Sequence, residues 1–226
     1  MSPPRVTVRT IGREREPLVV IDDFAADPEA LRAAAIAARF EPAMHHYPGI
    51  RATLSDGYLP AQTPVIAGVL NELFGQSGAL EVIDASFSIV TTARAALSVS
   101  QRLPHCDAFV RNRIALIHYL SLDDGDGTAF FRHRSTGFES VDQARLPIYT
   151  GQLDAELRHA GPPAAGYVAD DTALFERTLL AEPRFNRALI YRSYVLHSGA
   201  IAPDAALSPD PATGRLTITG FLSVGE

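Results

Sequence analysis

Apolar positions in this chain fall first into a helix-rich stretch and then into a series of short runs with strand character. Leu18-Val19-Val20-Ile21-Asp22-Asp23-Phe24 is a continuous apolar run closed by acids, the pattern of a buried strand ending in a turn. Asp27-Pro28-Glu29 supplies an N-cap, a first-turn proline and an early acid, which predicts an Ala-rich helix to about Arg39. Residues 41–61 read as irregular around a Tyr47-Pro48-Gly49 turn, and a second helix is expected from Thr63-Pro64 to Gly75. β-rich runs follow at 80–91, 97–99, 113–120, 128–132, 186–192, 194–197 and 215–223. Turn residues at 123–127, Ser198-Gly199 and Ser208-Pro209-Asp210-Pro211 separate them. Residues 123–127 lack the spaced acids of a calcium loop and read as a hairpin turn. Between 138 and 184 the pattern breaks: 152–159 and 170–180 look helical on either side of Gly161-Pro162-Pro163.

The order predicts a mainly β fold with flanking helices, a sandwich or jelly roll. Residues 18–76 would form an N-terminal strand and helices, 80–137 and 186–223 the β core, and 138–185 an inserted, partly helical segment or lid. At 226 residues this is one domain. A net charge of -6 argues against a general nucleic-acid or anionic-membrane surface. The single cysteine, Cys106, excludes an internal disulfide framework. No apolar stretch approaches the ~18 residues of a membrane span, and the N-terminus lacks an apolar leader, so a cytoplasmic protein is expected. Every basic residue is Arg, with no Lys, which reads as a bacterial GC-rich coding bias. Any cationic side chain that binds an anion here must therefore be Arg or His.

The candidate chemistry lies at the edges of the strands. His105-Cys106-Asp107 precedes the apolar run 114–120, and residues i and i+2 of an extended segment point to one face. The imidazole and carboxylate can then converge on one ion while Cys106 points away. His197 closes the apolar run 189–196. Two histidines and one carboxylate on one side of a metal leave positions open, a set suited to non-haem Fe(II). Taken singly, each residue also fits a blander role: a turn-capping Asp, a surface His, a hydrogen-bonded rim His. In Arg215-Leu216-Thr217-Ile218-Thr219 the polar residues share a face, and if that face is inward its cation needs an anionic partner. Otherwise the segment is a solvent-facing edge strand.

Together, His105-x-Asp107, the Ile117-His118-Tyr119-Leu120 strand, Phe130-Phe131, distal His197 and Arg215-x-Thr217 resemble the 2-oxoglutarate/Fe(II)-dependent oxygenases, nearest to the prolyl hydroxylase-like subgroup. Val20-Ile21-Asp22-Asp23-Phe24 ahead of an Ala/Leu-rich helix also resembles that group. The resemblance implies a double-stranded β-helix (jelly roll, cupin-like). It implies Fe(II) on His105, Asp107 and His197, and 2-oxoglutarate held at its far carboxylate by Arg215 with Thr217 and Tyr119. Alternation puts Tyr119 on the face opposite His118. The spacings from His105 to His197 and from His197 to Arg215 are long for the family, the first accommodated by the insertion. Retention of Asp107 argues for hydroxylation over halogenation.

Dioxygen and a small-molecule, amino-acid or peptide substrate are the implied partners. Arg51, in the polar aromatic loop 45–51, and His133 and Arg134 are candidate substrate residues. Two rival readings remain: a cupin-like metalloenzyme that does not use 2-oxoglutarate, and a metal-free β-sandwich binding module.

Overall fold

The computed structural model describes residues 3–44, 46–122, 127–205 and 207–225. Strands β1 (Arg5–Ile11) and β2 (Glu16–Asp22) precede α1 (Pro28–Ala37). Then come β3 (Glu41–Pro42), β4 (Gly49–Thr53), α2 (Tyr58–Phe74), β5 (Leu80–Val90), β6 (Arg113–Tyr119) and β7 (Gly127–His133). The chain finishes with α3 (Leu146–Ala160), β8 (Phe175–Ala181), β9 (Arg187–Arg192), β10 (His197–Ala200) and β11 (Leu216–Val224). These strands build an eight-stranded sheet, ordered β1-β2-β9-β6-β11-β5-β4-β3, and a three-stranded sheet, ordered β10-β7-β8. All the pairings are antiparallel.

Period-two alternation sorts the side chains into layers. From the large sheet, Val19, Ile21, Phe87, Ile89, Ile114, Leu116, Ile190 and Ile218 pack with Ala35 of α1 and Ile66, Leu70 and Phe74 of α2. Their neighbours Leu18, Val20, Ala115, Leu189 and Tyr191 point the other way and meet Phe130 and Ala181 of the small sheet. The outer face of the small sheet, through Ala129, Phe131 and Phe175, packs with Tyr149 of α3. The result is helix, large sheet, small sheet, helix. Strands buried on both faces carry near-continuous apolar runs, as at 18–21 and 188–191.

The Asp27 cap forms as expected, its carboxylate accepting from Ala30 N–H at 2.9 Å with Pro28 in the first turn. Gly75 closes α2 in the left-handed region at φ +65. That helix starts earlier than Thr63, at Tyr58, with Pro60 in its first turn and Pro64 inside it. Other expectations are corrected. Residues 41–61 contain the β3–β4 hairpin. Residues 97–99 are not a strand but join two 3-10 turns, Arg94–Ala96 and Ser100–Arg102. The strand expected at 194–197 instead starts at His197, so Ser198-Gly199 lies within it. The helix expected at 170–180 is β8, whose pairing with β7 overrides its local helix preference. Within 138–185, α3 packs on the small sheet and β8 is one of its strands. Of the fold expected, the mainly β architecture with flanking helices is present, as two facing antiparallel sheets with helices outside. The turn expected at 123–127 lies, up to residue 126, outside the described residues. No helix among them is long and apolar enough to cross a membrane.

His118 sits on the helix side, fully buried. Its Nε2–H donates to Asn186 Oδ1 at 3.0 Å, and its Nδ1 accepts from the Tyr58 hydroxyl at 3.1 Å. The Asn186 orientation is set by Ala25, whose N–H donates to the same Oδ1. Burial holds the imidazole down to about 4, against the Asn186 contact. The folded value lies below the unfolded one, near 6.5. Stability from this group is therefore complete above pH ~6.5 and lost as pH falls towards ~4, by an amount on the order of 3 kcal/mol. Denaturant titrations of metal-free protein at pH 7 and pH 4.5 should show a smaller acid loss in His118→Gln than in wild type; equal losses would contradict this.

Candidate metal centre

Two backbone hydrogen bonds bring the distant candidate ligands together. His105 N–H donates to His197 O at 2.9 Å, and His197 N–H returns the bond to His105 O at 2.9 Å. Asp107 N–H donates to Ser193 O at 2.8 Å, so the loop lies along the turn between β9 and β10. Cys106 turns away, its thiol donating to Tyr194 O at 3.0 Å. His105 and Asp107 therefore present their side chains to the same place, as the i, i+2 spacing requires.

His105 Nε2 stands 3.6 Å from Asp107 Oδ1, and His197 Nε2 stands 3.5 Å from Asp107 Oδ2. One ligand atom from each of the three lies within 4.8 Å of the others. An ion held at about 2.0–2.2 Å from each atom spans the two shorter separations. His197 is buried between Tyr191, at 5.0 Å between ring centres, and Phe130, at 6.3 Å. Its Nδ1–H donates to Val195 O at 2.9 Å, which leaves the Nε2 lone pair facing Asp107. The His105 side chain is 52% exposed and that of Asp107 12%, which places His105 at the mouth.

Burial pushes the Asp107 carboxyl up to about 6, against the pull of His105 and Arg51. Burial also holds the His197 imidazole down to about 4, and the neighbouring His197 disfavours a charge on His105. At pH 7 the site thus offers two neutral imidazoles and a carboxylate. The Cys106 thiol is pushed well above its ordinary range by burial and by Asp107, so it remains protonated and is no ligand. Imidazole and carboxylate without thiolate suit iron, manganese or zinc in the divalent state.

The large sheet extends beyond the small one. The inter-sheet core draws on β2, β6 and β9 but not on β5, β4 or β11. There the inward face is polar. One row of paired residues crosses five strands: Arg187, Tyr119, Thr217, Ser88 and Arg51. Arg215 enters this floor just ahead of β11. Its guanidinium lies 5.8 Å from the Tyr119 ring centre, and Nη2–H donates to Gly127 O at 3.0 Å. The Tyr119 hydroxyl bonds Thr128 Oγ1 at 2.7 Å, and Thr217 Oγ1–H donates to Ser88 O at 3.3 Å.

Among the described residues, four buried side-chain polar atoms have no hydrogen-bond partner, and three of them lie here: Arg215 Nε, Arg51 Nε and the Tyr47 hydroxyl. The Tyr47 hydroxyl is near Arg215, Arg51, Thr217 and Ser88 but outside hydrogen-bond geometry with the last two. Sequence reasoning treated Tyr47 as a turn residue and passed over Ser88; the only signal was an aromatic beside a candidate arginine.

His133 and Arg134, the other candidate substrate residues, lie away from this floor. His133 is buried between Tyr149 and Phe175, with its nitrogens engaged by Thr136 Oγ1 at 3.0 Å and Glu156 Oε2 at 2.8 Å. Phe131 on the same strand faces α3, so alternation sends His133 to that side. Arg134 pairs with Asp171 at 3.1 Å.

The profile of a family described as "Family of unknown function (DUF6445)" matches residues 2–222. No curated protein matches the chain. Three solved structures resemble it. The non-heme alpha ketoglutarate dependent epimerase SnoN from nogalamycin biosynthesis is 14% identical with a TM-score of 0.47, over 93% of this chain and 79% of that one. HygX from Streptomyces hygroscopicus with iron bound is 11% identical with a TM-score of 0.45, over 95% and 83%. An N-substituted L-amino acid dioxygenase from Burkholderia ambifaria AMMD is 11% identical with a TM-score of 0.46, over 99% and 97%.

Metal binding is directly measurable. Calorimetric titration with Mn(II) should give tight binding at pH 7.5 that weakens towards pH 5, as protons compete at Asp107. His197→Ala should weaken it more than about 100-fold, since changes outside the ligand set alone cost about 10- to 100-fold. Undiminished affinity in that variant would remove His197 from the ligand set.

Proposed function

This chain belongs to DUF6445, a family of unknown function, and we propose that it is an Fe(II)- and 2-oxoglutarate-dependent oxygenase. The observation that carries this reading is the buried, unpartnered Nε of Arg215 beside Tyr119, in an inter-sheet layer whose Tyr191 also packs against His197 of the His105–Asp107–His197 cluster. A buried guanidinium N–H left unpaired is costly, and a carboxylate satisfies it with a charge-assisted bond. Tyr119 supports the guanidinium with its ring, and Thr217 is in register beside it. With no Lys in the chain, Arg is the only permanent cation available to hold the far carboxylate. The donor set and the cation together fit an ion chelated by a keto acid with a second carboxylate at its other end.

Bound Fe(II) would couple decarboxylation of 2-oxoglutarate to succinate with oxidation of a substrate C–H bond by dioxygen. The chain's own part is positional. His197 is oriented by Val195 O, Asp107 is placed by Ser193 O, and the His105–His197 bridge fixes the spacing between the two imidazoles. Arg215 sets the direction in which the co-substrate lies. Tyr191 and Phe130 keep water from the inner side of His197. The motif order favours the prolyl hydroxylase-like subgroup and a hydroxylation of an amino acid, peptide side chain or small metabolite.

Anaerobic addition of Fe(II) and then 2-oxoglutarate should produce a weak visible charge-transfer band. It should vanish in His197→Ala and require about tenfold or more 2-oxoglutarate in Arg215→Ala. Tight iron binding with no band would instead favour a metalloenzyme that does not use the keto acid.

A further inference from the structure

We propose that Arg51 and Tyr47 form a second anion site on the same floor, one that holds a carboxylate of the substrate and makes the enzyme specific for small carboxylic acids; this rests on the oxygenase reading above. The first support is a count of charges. Two arginines reach the polar floor with a buried, unpartnered Nε, and the Tyr47 hydroxyl is unpartnered between them. The far carboxylate of 2-oxoglutarate accounts for one arginine. Buried polar groups in folded proteins are almost always paired, so the remaining Nε and hydroxyl mark a second ligand group.

The second support is how the two cations are anchored. Arg215 is tied to Gly127 O and stacks on Tyr119, towards β6 and β7. Arg51 is tied to the opposite side. It lies 4.7 Å from the Tyr47 ring centre, and its Nη1–H donates to Asp84 Oδ2 at 3.2 Å. β4 stands two strands from β11, about 10 Å away. Asp84 is half-exposed at the rim and satisfies the outward side of the guanidinium, which leaves Nε facing in.

The third support is what lies between the two cations. Arg51 is in register with Ser88, and Ser88 with Thr217, so polar side chains fill the row from the hairpin to β11. Ser88 and Thr219, whose hydroxyls are 2.8 Å apart, line the gap. A neutral amide or ester offers these donors one uncharged carbonyl oxygen in place of two charged ones, and so binds more weakly.

The test is a pair of calorimetric titrations on anaerobic Fe(II)-loaded protein, wild type beside Arg51→Gln, Tyr47→Phe and Arg215→Gln. The first titrant is 2-oxoglutarate. The second, added to the 2-oxoglutarate complex, is a panel of free amino acids and small aliphatic and aromatic monocarboxylates, each with its primary amide. Expected are carboxylates that bind wild type more tightly than their amides do. Arg51→Gln should weaken them about 10- to 100-fold, and Tyr47→Phe less, with 2-oxoglutarate affinity held in both. Tyr47→Phe keeps the ring under Arg51, so it reports on the hydroxyl even if Arg51→Gln disturbs the hairpin. Carboxylates that bind no better than amides, or equally well to Arg51→Gln, would overturn the proposal. So would a loss of 2-oxoglutarate affinity in Arg51→Gln as large as in Arg215→Gln, which would place Arg51 in the co-substrate grip. Absence of 2-oxoglutarate binding in wild type would instead overturn the oxygenase reading itself.

Discussion

The backbone bridge between His105 and His197 is the constraint on which the rest of the site depends. These residues are far apart in the chain, and neither belongs to a strand that could hold the other by an extended ladder. Two hydrogen bonds between peptide groups, with a third from Asp107 to the β9–β10 turn, set three ligand side chains within reach of one ion. Because the ties are made by the main chain, the ligands are placed before any metal arrives. Their side chains are then free of structural duty except for His197, whose outer nitrogen is spent on Val195 O.

A second constraint follows from unequal sheets. Three strands cannot cover eight, so the small sheet closes over β2, β9 and β6 and leaves the inward face of β11, β5 and β4 without a facing strand. An apolar face there would be a liability; the chain places Ser, Thr and Arg instead. The helices on the outer face are fully packed over the same strands, so the polar face is a choice of sequence and not a weakness of the core. The floor is thus made by what the fold omits.

Much of this was legible in the residues. The i, i+2 spacing of His105 and Asp107 put both on one face, and alternation put Tyr119 and His118 on opposite faces, as the structure has them. Alternation also put Arg215 and Thr217 on one face. What failed had physical causes. Residues 170–180 carry Leu, Ala, Glu and Arg, good helix formers, and only pairing with β7 makes 175–181 a strand. β1 is short, exposed and on an edge, so no apolar stripe announced it. Tyr47 and Ser88 acquire meaning from neighbours across strands, which local periodicity does not report. His133 looked available because it is basic, yet it is buried beneath α3 with both nitrogens occupied.

The β3–β4 hairpin ends the large sheet, and it carries Arg51 while Tyr47 sits in its loop. The candidate metal ligands come from other pieces of chain, the 105–107 loop and the start of β10. The three candidate ligands and the proposed Arg51–Tyr47 grip therefore stand on separate pieces of chain. Under that proposal, substitutions in the hairpin would change what is bound while the backbone bridge between His105 and His197 keeps its place.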